Sequence, residues 1–389
     1  MNLRKRKIAI ATGTRAEYGI LKPLLEKIKA EKNTLELKLI VTGMHLLKRY
    51  GLTVNEIKMD GFKIDKEVMM YKGDEEKPGY YGEALGRGIK NFTEVFSQIQ
   101  PHILVIMGDR LEALAATLAA VTLKIPIAHI HGGDKTESGH IDESIRHSIT
   151  RFAHIHFAPT RKSKERLIKM GEESWRIHNV GALNLDSVLS PPKIEKENLF
   201  KKIKLDPNQK LILCLFNPVH LEAEKMGRQM HEIVEALREL QQQVVIVYPN
   251  NDAGSKNIIT EIKKVKKLPF VKVFPNLPHT EYINLLRCAD VLIGNSSSGI
   301  IEAPSLKLPV VNIGSRNIGR EYAENVIFVE PERNEITKAI KKTLYDKKFL
   351  NEVKKCKNPW GNGKTSERII KILKKVRLDK KLLQKKITY

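Results

Sequence analysis

Three cysteines in 389 residues, Cys214, Cys288 and Cys356, are odd in number and far apart, which argues against a disulfide framework. No Cys-x-x-Cys pair occurs, so a cysteine zinc site is not expected, and the cytoplasm is the expected compartment. No run approaches the roughly 20 uninterrupted apolar residues that span a bilayer, so no membrane partner is expected. The opening MNLRKRKIAIATGTRAEYG sets basic residues before an apolar stretch. That stretch is short, lacks a small-residue cleavage site and enters a glycine turn, so it reads as a first strand rather than a signal peptide. Repeats of fixed period and low-complexity tracts are also lacking.

The chain is strongly basic, with a formal charge of +23. Lys371–Tyr389 holds eight Lys or Arg against one acid, which places +7 of that charge in nineteen residues. Their spacing predicts an amphipathic helix with solvated lysines. No zinc finger, helix-turn-helix or aromatic RNA-binding signature accompanies it, so no nucleic-acid partner is expected. Clustered cations also suit an anionic substrate such as a nucleotide diphosphate, through electrostatic steering.

Apolar residues at 41% and charged residues at 29% describe a globular chain long enough for two domains. Short β-branched runs alternate with helical patterns throughout. The first half reads as strands at Lys7–Ala11, Leu37–Val41, Ile103–Met107, Ile127–Ile130 and Ile155–Ala158, with helical stretches such as Tyr18–Glu31 and Leu111–Leu123. The second half repeats the rhythm at Leu211–Phe216, Val244–Tyr248, Val271–Phe274, Val291–Ile293, Val310–Ile313 and Val326–Val329. This predicts an α/β fold of two Rossmann-like domains with parallel sheets. The interruption at Leu189-Ser190-Pro191-Pro192-Lys193 suggests residues 1–185 as one domain and 186–370 as the other, with 371–389 as the basic C-terminal helix. In open α/β sheets, ligands bind at the carboxyl ends of the strands, so two such domains predict a site in the cleft between them.

Polar residues gather just where the strands end. Gly13-Thr14-Arg15-Ala16-Glu17-Tyr18 is a glycine turn entering a helix, where free amides and Arg15 suit phosphate. Gly108-Asp109-Arg110 ends another strand, and its carboxylate reads either as an ionised base or as a helix N-cap. His129-Ile130-His131-Gly132-Gly133-Asp134 follows, then His140-Ile141-Asp142-Glu143-Ser144-Ile145-Arg146-His147. His129 and His131 share a strand face, which raises metal binding. Without a His-Glu-x-x-His or a closed ligand set, proton chemistry is preferred and no metal is expected. Asp142 and Arg146 are four apart and neighbours on a helix face; a surface ion pair is the plain alternative.

In the second half, Asn217-Pro218-Val219-His220 and Tyr248-Pro249-Asn250-Asn251-Asp252 follow strands. Gly294-Asn295-Ser296-Ser297-Ser298-Gly299-Ile300-Ile301-Glu302 is a hydroxyl-rich loop at a helix start, and Gly314-Ser315-Arg316 ends a further strand. Amides and serine hydroxyls suit a diphosphate, and Glu302 suits the two ribose hydroxyls.

Together, in this order and spacing, the motifs resemble the UDP-N-acetylglucosamine 2-epimerase family, its hydrolysing branch of sialic- and legionaminic-type pathways above all. The resemblance runs from about Lys7 to Gly363. It implies a glycosyltransferase-B-like fold, with the C-terminal helix crossing back to the first domain. It implies no cofactor, since no hydride leaves, and a homodimer or homotetramer. It places Asp109, His131 and Asp142 in the acid–base set, with Glu143 and Arg146 beside them. Arg15, Arg110, Asn217, His220, Asn250, Ser296, Ser297, Glu302 and Arg316 are placed around the nucleotide sugar. Two positions depart from the pattern: His131 stands where some members carry glutamate, and Asn217 where His-Pro-Val is usual. The expected reaction converts UDP-N-acetylglucosamine and water to N-acetylmannosamine and UDP. The alternatives are the same chemistry on a 2,4-diacetamido-6-deoxy or GDP-linked sugar, a non-hydrolysing epimerase, a glycosyltransferase, or a protein that only binds.

Overall fold

Thirteen strands form two sheets in the computed structural model, which describes residues 5–74, 77–136, 141–190, 193–250 and 252–389. Every recorded strand pair is parallel. The chain divides into two units, Met1–Asp134 with Ile141–Ser187 and Trp360–Tyr389, and Lys135–His140 with Val188–Pro359. Residues 1–4, His140, Pro191, Pro192 and Asn251, all named above, lie outside the described residues.

The first unit carries β1 (Arg6–Thr12), β2 (Leu35–Thr42), β3 (Lys66–Val68), β4 (Ile103–Met107), β5 (Ile127–Ile130), β6 (Ile155–Ala158) and β7 (Ile177–Asn179), in the order β3-β2-β1-β4-β5-β6-β7. The second carries β8 (Leu211–Leu215), β9 (Gln243–Val247), β10 (Val271–Phe274), β11 (Val291–Gly294), β12 (Val310–Ile313) and β13 (Val326–Val329), in the order β10-β9-β8-β11-β12-β13. Both orders are doubly wound, reversing between β1 and β4 and between β8 and β11.

Because strand side chains alternate between faces, each sheet feeds two cores. In the first unit Ile8, Ile10, Leu39 and Ile103 pack with Leu21, Leu24 and Ile28 of the helix Arg15–Ala30. Ala9, Ala11, Ile40 and Leu104 turn the other way, onto Phe92 of Tyr80–Ile99 and Ala116 of Leu111–Thr122. In the second unit Ile212 and Cys214 face one core and Leu211 and Leu213 the other.

The chain re-enters the first unit at Trp360, earlier than the expected 371, and through a different helix. The helix spans Thr365–Lys375 and buries Ile369, Ile370 and Leu373 in the first unit's core. Its leading amides, Thr365 and Ser366, donate at 2.8 and 2.7 Å to the two carboxylate oxygens of buried Asp186. The expected continuous helix over 371–389 is therefore corrected: after Lys375 only one turn, Lys380–Leu383, follows, N-capped by Asp379. Arg176, fully buried, donates to the carbonyls of Lys381, Leu382 and Gln384 at 2.9, 2.6 and 3.1 Å. Nor are all these lysines solvated. Lys385 donates to Thr150 and Arg151 carbonyls at 3.2 and 2.8 Å and pairs with Glu172 at 2.8 Å. Among the described residues, no helix is long and apolar enough to cross a membrane.

Candidate active site

In the first unit the acidic and basic residues collect at the carboxyl ends of β4 and β5. β4 runs out through Gly108, whose φ of +75° turns the chain into Asp109. From the helix Ile141–Phe152, Arg146 reaches this turn and is only 3% exposed. Its Nε donates to Asp109 Oδ2 at 3.0 Å, and its Nη2 donates to the same oxygen. Its Nη1 donates to Glu143 and, at 3.3 Å, to the Asp134 carbonyl. Glu143 also meets His147 Nε2 at 3.1 Å. Burial opposes the Arg146 charge, but Asp109, Asp134 and Glu143 outweigh it and raise its pKa above the ordinary arginine value. The plain alternative of a surface pair does not describe Arg146: the arginine is buried, and it pairs with Asp109 and with Glu143, three residues back rather than four. Asp142 is partly buried and lies within electrostatic reach of Arg110.

His131 has a φ of +66°, and its Nε2 accepts from the Leu183 amide at 3.3 Å. That nitrogen is therefore unprotonated, and proton transfer by this ring falls to Nδ1. Among the described residues, no group of three or more His, Cys, Asp and Glu side chains is placed to hold a metal ion.

The glycine turn after β1 is stapled from inside. Thr14 Oγ1 accepts from the Glu17 amide at 3.3 Å, and Glu17 Oε2 accepts from the Gly13 amide at 2.7 Å and from the Thr12 hydroxyl at 3.4 Å. This is a capping box displaced by one residue. Arg15 is paired with Glu56 at 2.9 Å. Arg110 pairs with buried Glu112 at 3.3 Å. Burial lowers its tendency to stay charged, but Glu112, Tyr71, Glu17 and Asp142 outweigh this and raise its pKa.

Burial, with Glu112 adding to it against the Gly13 amide, pushes the Glu17 carboxyl up to about 7. The folded chain then holds a proton between the ordinary carboxylate range and pH 7 that the unfolded chain has lost, so this group's contribution to stability falls as pH rises through that window. Glu17→Gln should remove that loss. The melting temperature of the variant relative to the parent should rise from pH 5 to pH 8, and a difference constant with pH would contradict the assignment.

In the second unit Asn295, buried at the end of β11, ties the switch point together. Its Oδ1 accepts from the Asn217 amide at 2.6 Å and its Nδ2 donates to the Asn217 carbonyl at 2.8 Å. Asn217 Oδ1 accepts from the Asn250 amide at 3.0 Å, so β8, β9 and β11 are laced at their ends. The Asn295 carbonyl accepts from Asn317 at 3.0 Å and from Arg316 at 3.2 Å. Gly294 has a φ of +117°, and a Cβ there would lie 2.2 Å from the Leu215 carbonyl oxygen, so only glycine lets β8 and β11 close this way. Ser296 Oγ accepts from the Ser298 amide at 3.3 Å. The helix that follows is a single turn, Ser298–Ile301, so its dipole is small. Ser296 and Glu302 are buried, Ser297 and Arg316 partly so. Asn250 is exposed, as is His220 at the head of the turn His220–Lys225.

The structure thus gathers Asp109, Glu143 and Arg146 directly, and draws Asn217, Asn250, Ser296 and Arg316 around Asn295. Asn295, Asn317 and Glu112 carry much of this order and were not singled out by the motifs. Only Glu112, one residue into a helix after Gly-Asp-Arg, left a sequence signal, an acid at a helix start.

Two doubly wound parallel sheets, one ending in a carboxylate–arginine cluster and the other in an asparagine–serine loop, define a protein of two Rossmann-like units with a glycosyltransferase-B-like fold. The fold matches the crystal structure of UDP-GlcNAc 2-epimerase from Neisseria meningitidis bound to UDP-GlcNAc, with a TM-score of 0.77 at 22% identity, covering 94% of this chain and 99% of that one. The family profile described as UDP-N-acetylglucosamine 2-epimerase matches residues 26–374. The chain is 38% identical to the UDP-N,N'-diacetylbacillosamine 2-epimerase (hydrolyzing) of Legionella pneumophila, over 98% of both chains. It is 35% identical to the GDP/UDP-N,N'-diacetylbacillosamine 2-epimerase (hydrolyzing) of Campylobacter jejuni, over 96% of this chain and 97% of that one. The chain belongs to the UDP-N-acetylglucosamine 2-epimerase family, a family of nucleotide-sugar 2-epimerases.

Proposed function

We propose that the protein is a hydrolysing 2-epimerase of a UDP-linked 2,4-diacetamido sugar. The buried Arg146 held between Asp109 and Glu143 carries the reading, because it gathers two carboxylates beside one fixed cation at the carboxyl end of β4, where the proton transfers are assigned. The sequence alone put UDP-N-acetylglucosamine first; the names of the two relatives at 38% and 35% identity support the diacetamido sugar instead. UDP-N-acetylglucosamine stays as the second reading, favoured by the description of the matching family.

In the proposed reaction a base takes the proton from C2 while UDP leaves C1, forming a 2-acetamidoglycal. Water then adds at C1 and C2 is protonated from the opposite face, so substrate and water become the 2-epimeric sugar and UDP. Asp109 and Asp142 are assigned the proton transfers, with the Nδ1–H of His131 as a further acid. Arg146, itself paired with Glu143, holds Asp109. Arg15 and Arg110 are assigned to charge developing on the leaving diphosphate, and Asn250, Ser296, Ser297, Glu302 and Arg316 to the nucleotide. Asn217 acts through Asn250, whose amide it accepts; an amide does not titrate, so it carries no proton in the reaction.

Arg316→Ala should weaken UDP binding by about 1–3 kcal/mol, the scale of a charge-assisted hydrogen bond. Unchanged affinity by calorimetry would remove Arg316 from the site.

The deciding experiment is proton NMR in deuterated buffer with each UDP-sugar separately and no acceptor. Free UDP with a 2-epimer deuterated at C2 is expected, faster with the diacetamido sugar. A UDP-linked mixture of epimers would mean a non-hydrolysing enzyme. Turnover only after adding an acceptor would mean a glycosyltransferase, and no turnover of either sugar would leave a binding protein.

A further inference from the structure

Of the two histidines that end β5, His129 takes no part in the chemistry assigned above, yet it is fully buried among apolar strand neighbours. Both ring nitrogens are occupied. Nε2 lies 2.7 Å from the Gly108 carbonyl oxygen and Nδ1 lies 3.3 Å from Thr150 Oγ1. A carbonyl only accepts, so Nε2 carries the proton, and the threonine hydroxyl donates to Nδ1. Burial, opposed by the Gly108 carbonyl, pushes the ring's pKa down to about 3, which keeps it neutral in this tautomer at neutral pH. The loop that follows leaves room for the ring: a Cβ on Gly132 would lie 2.9 Å from His129 Nδ1 and 3.3 Å from Thr150 Oγ1.

An imidazole buried this deeply costs desolvation that a phenylalanine or leucine of similar bulk would not, and packing alone does not call for it. What it holds is informative. The Gly108 amide donates to the Ile130 carbonyl at 3.1 Å within the sheet, whereas the Gly108 carbonyl turns out of the ladder onto His129. That carbonyl belongs to the peptide linking Gly108 to Asp109, and Gly108 is in the left-handed region at φ +75°. The direction of this C=O sets the rotation of the peptide plane from which Asp109 projects toward Arg146.

We propose that His129 is a positioning residue for Asp109, holding the Gly108–Asp109 peptide in the orientation that brings the carboxylate onto Arg146. The inference rests on Asp109 being part of the acid–base set. Thr150 supports it by fixing the tautomer.

The test compares His129→Phe, which keeps a ring but no donor, with His129→Gln, whose side-chain amide can still reach the carbonyl. Steady-state kinetics use the UDP-sugar turned over in the NMR assay, and binding uses UDP alone. The phenylalanine variant should lower kcat about 30- to 100-fold, the scale of misplacing a reacting group by an ångström, and shift the limb of the pH–rate profile that belongs to Asp109. UDP affinity should stay within about threefold, since no nucleotide contact is assigned to this ring. Glutamine should restore most of kcat. Should the phenylalanine variant not fold, Thr150→Val keeps the ring and removes only the tautomer-fixing donor; a drop in kcat of about three- to tenfold is expected from one lost hydrogen bond. Normal kcat in the folded variants would overturn the proposal. So would a loss of kcat and UDP affinity in parallel with a melting temperature brought down to the assay temperature, with no change in the pH profile. Turnover retained by Asp109→Asn would instead overturn the role of Asp109 itself, and the two failures are thereby told apart.

Discussion

Asp109→Asn should lower kcat about a thousandfold or more, within the range that a positioned acid or base contributes, while UDP affinity changes by no more than a few-fold. The substitution keeps the shape and one oxygen, so Arg146 can retain a hydrogen bond and Glu143 still compensates its charge. What is lost is the ability to take or give a proton. Arg146 also loses half of its carboxylate pairing in a buried place, and a modest fall in melting temperature is expected beside the kinetic effect. Single-turnover kinetics with calorimetric titration of UDP separate the two. A variant that binds UDP and turns over at the parent rate would show that Asp109 is not an acid–base group.

The largest effect on stability is expected at Asp186, which touches none of the residues assigned to chemistry. Its two oxygens receive the Thr365 and Ser366 amides, and all three residues are buried. Alanine would leave two helix-terminal donors without an acceptor and remove two charge-assisted hydrogen bonds. Each such bond contributes about 1.5–3 kcal/mol, so Asp186→Ala should cost about 3–5 kcal/mol. At about 2–4 °C per kcal/mol for a unit of this size, the melting temperature should fall by roughly 10 °C. Calorimetry should place the loss in the first unit's transition, with the second unit's transition unmoved. A fall of only one or two degrees would mean that the helix finds other acceptors.

Most strand positions were legible because buried parallel strands are written as short β-branched runs, such as Ile103–Met107 and Val310–Ile313, and these need no partner to be recognised. β3 and β7 were not anticipated. Each is three residues long, Lys66 and Glu67 are exposed, and Asn179 faces solvent, so neither shows an apolar run or a period. The position of the candidate site was legible from where polar residues interrupt the strands, but its pairings were not. Arg146 has two carboxylates within one helical turn, and only the path of β4 puts Asp109 against it while Asp142 lies near Arg110. The pair His129 and His131 looked alike in sequence, yet one ring faces a carbonyl in the core and the other an amide at a loop. The cap from Asp186 to Thr365 joins residues 179 apart, and no local pattern announces it. Lys385 reads as one more solvated lysine until the fold sets Glu172 beside it.

The return of the chain at Trp360 also orders events on the ribosome. The second unit has all of its residues once Pro359 has emerged, whereas the first still lacks Ile369, Ile370 and Leu373 from its core. Until they arrive, Leu21, Leu24 and Ile28 on the helix Arg15–Ala30 lack part of their cover. Domains usually complete in the order of their synthesis. This chain reverses that order: the half begun first is the one whose core is completed last.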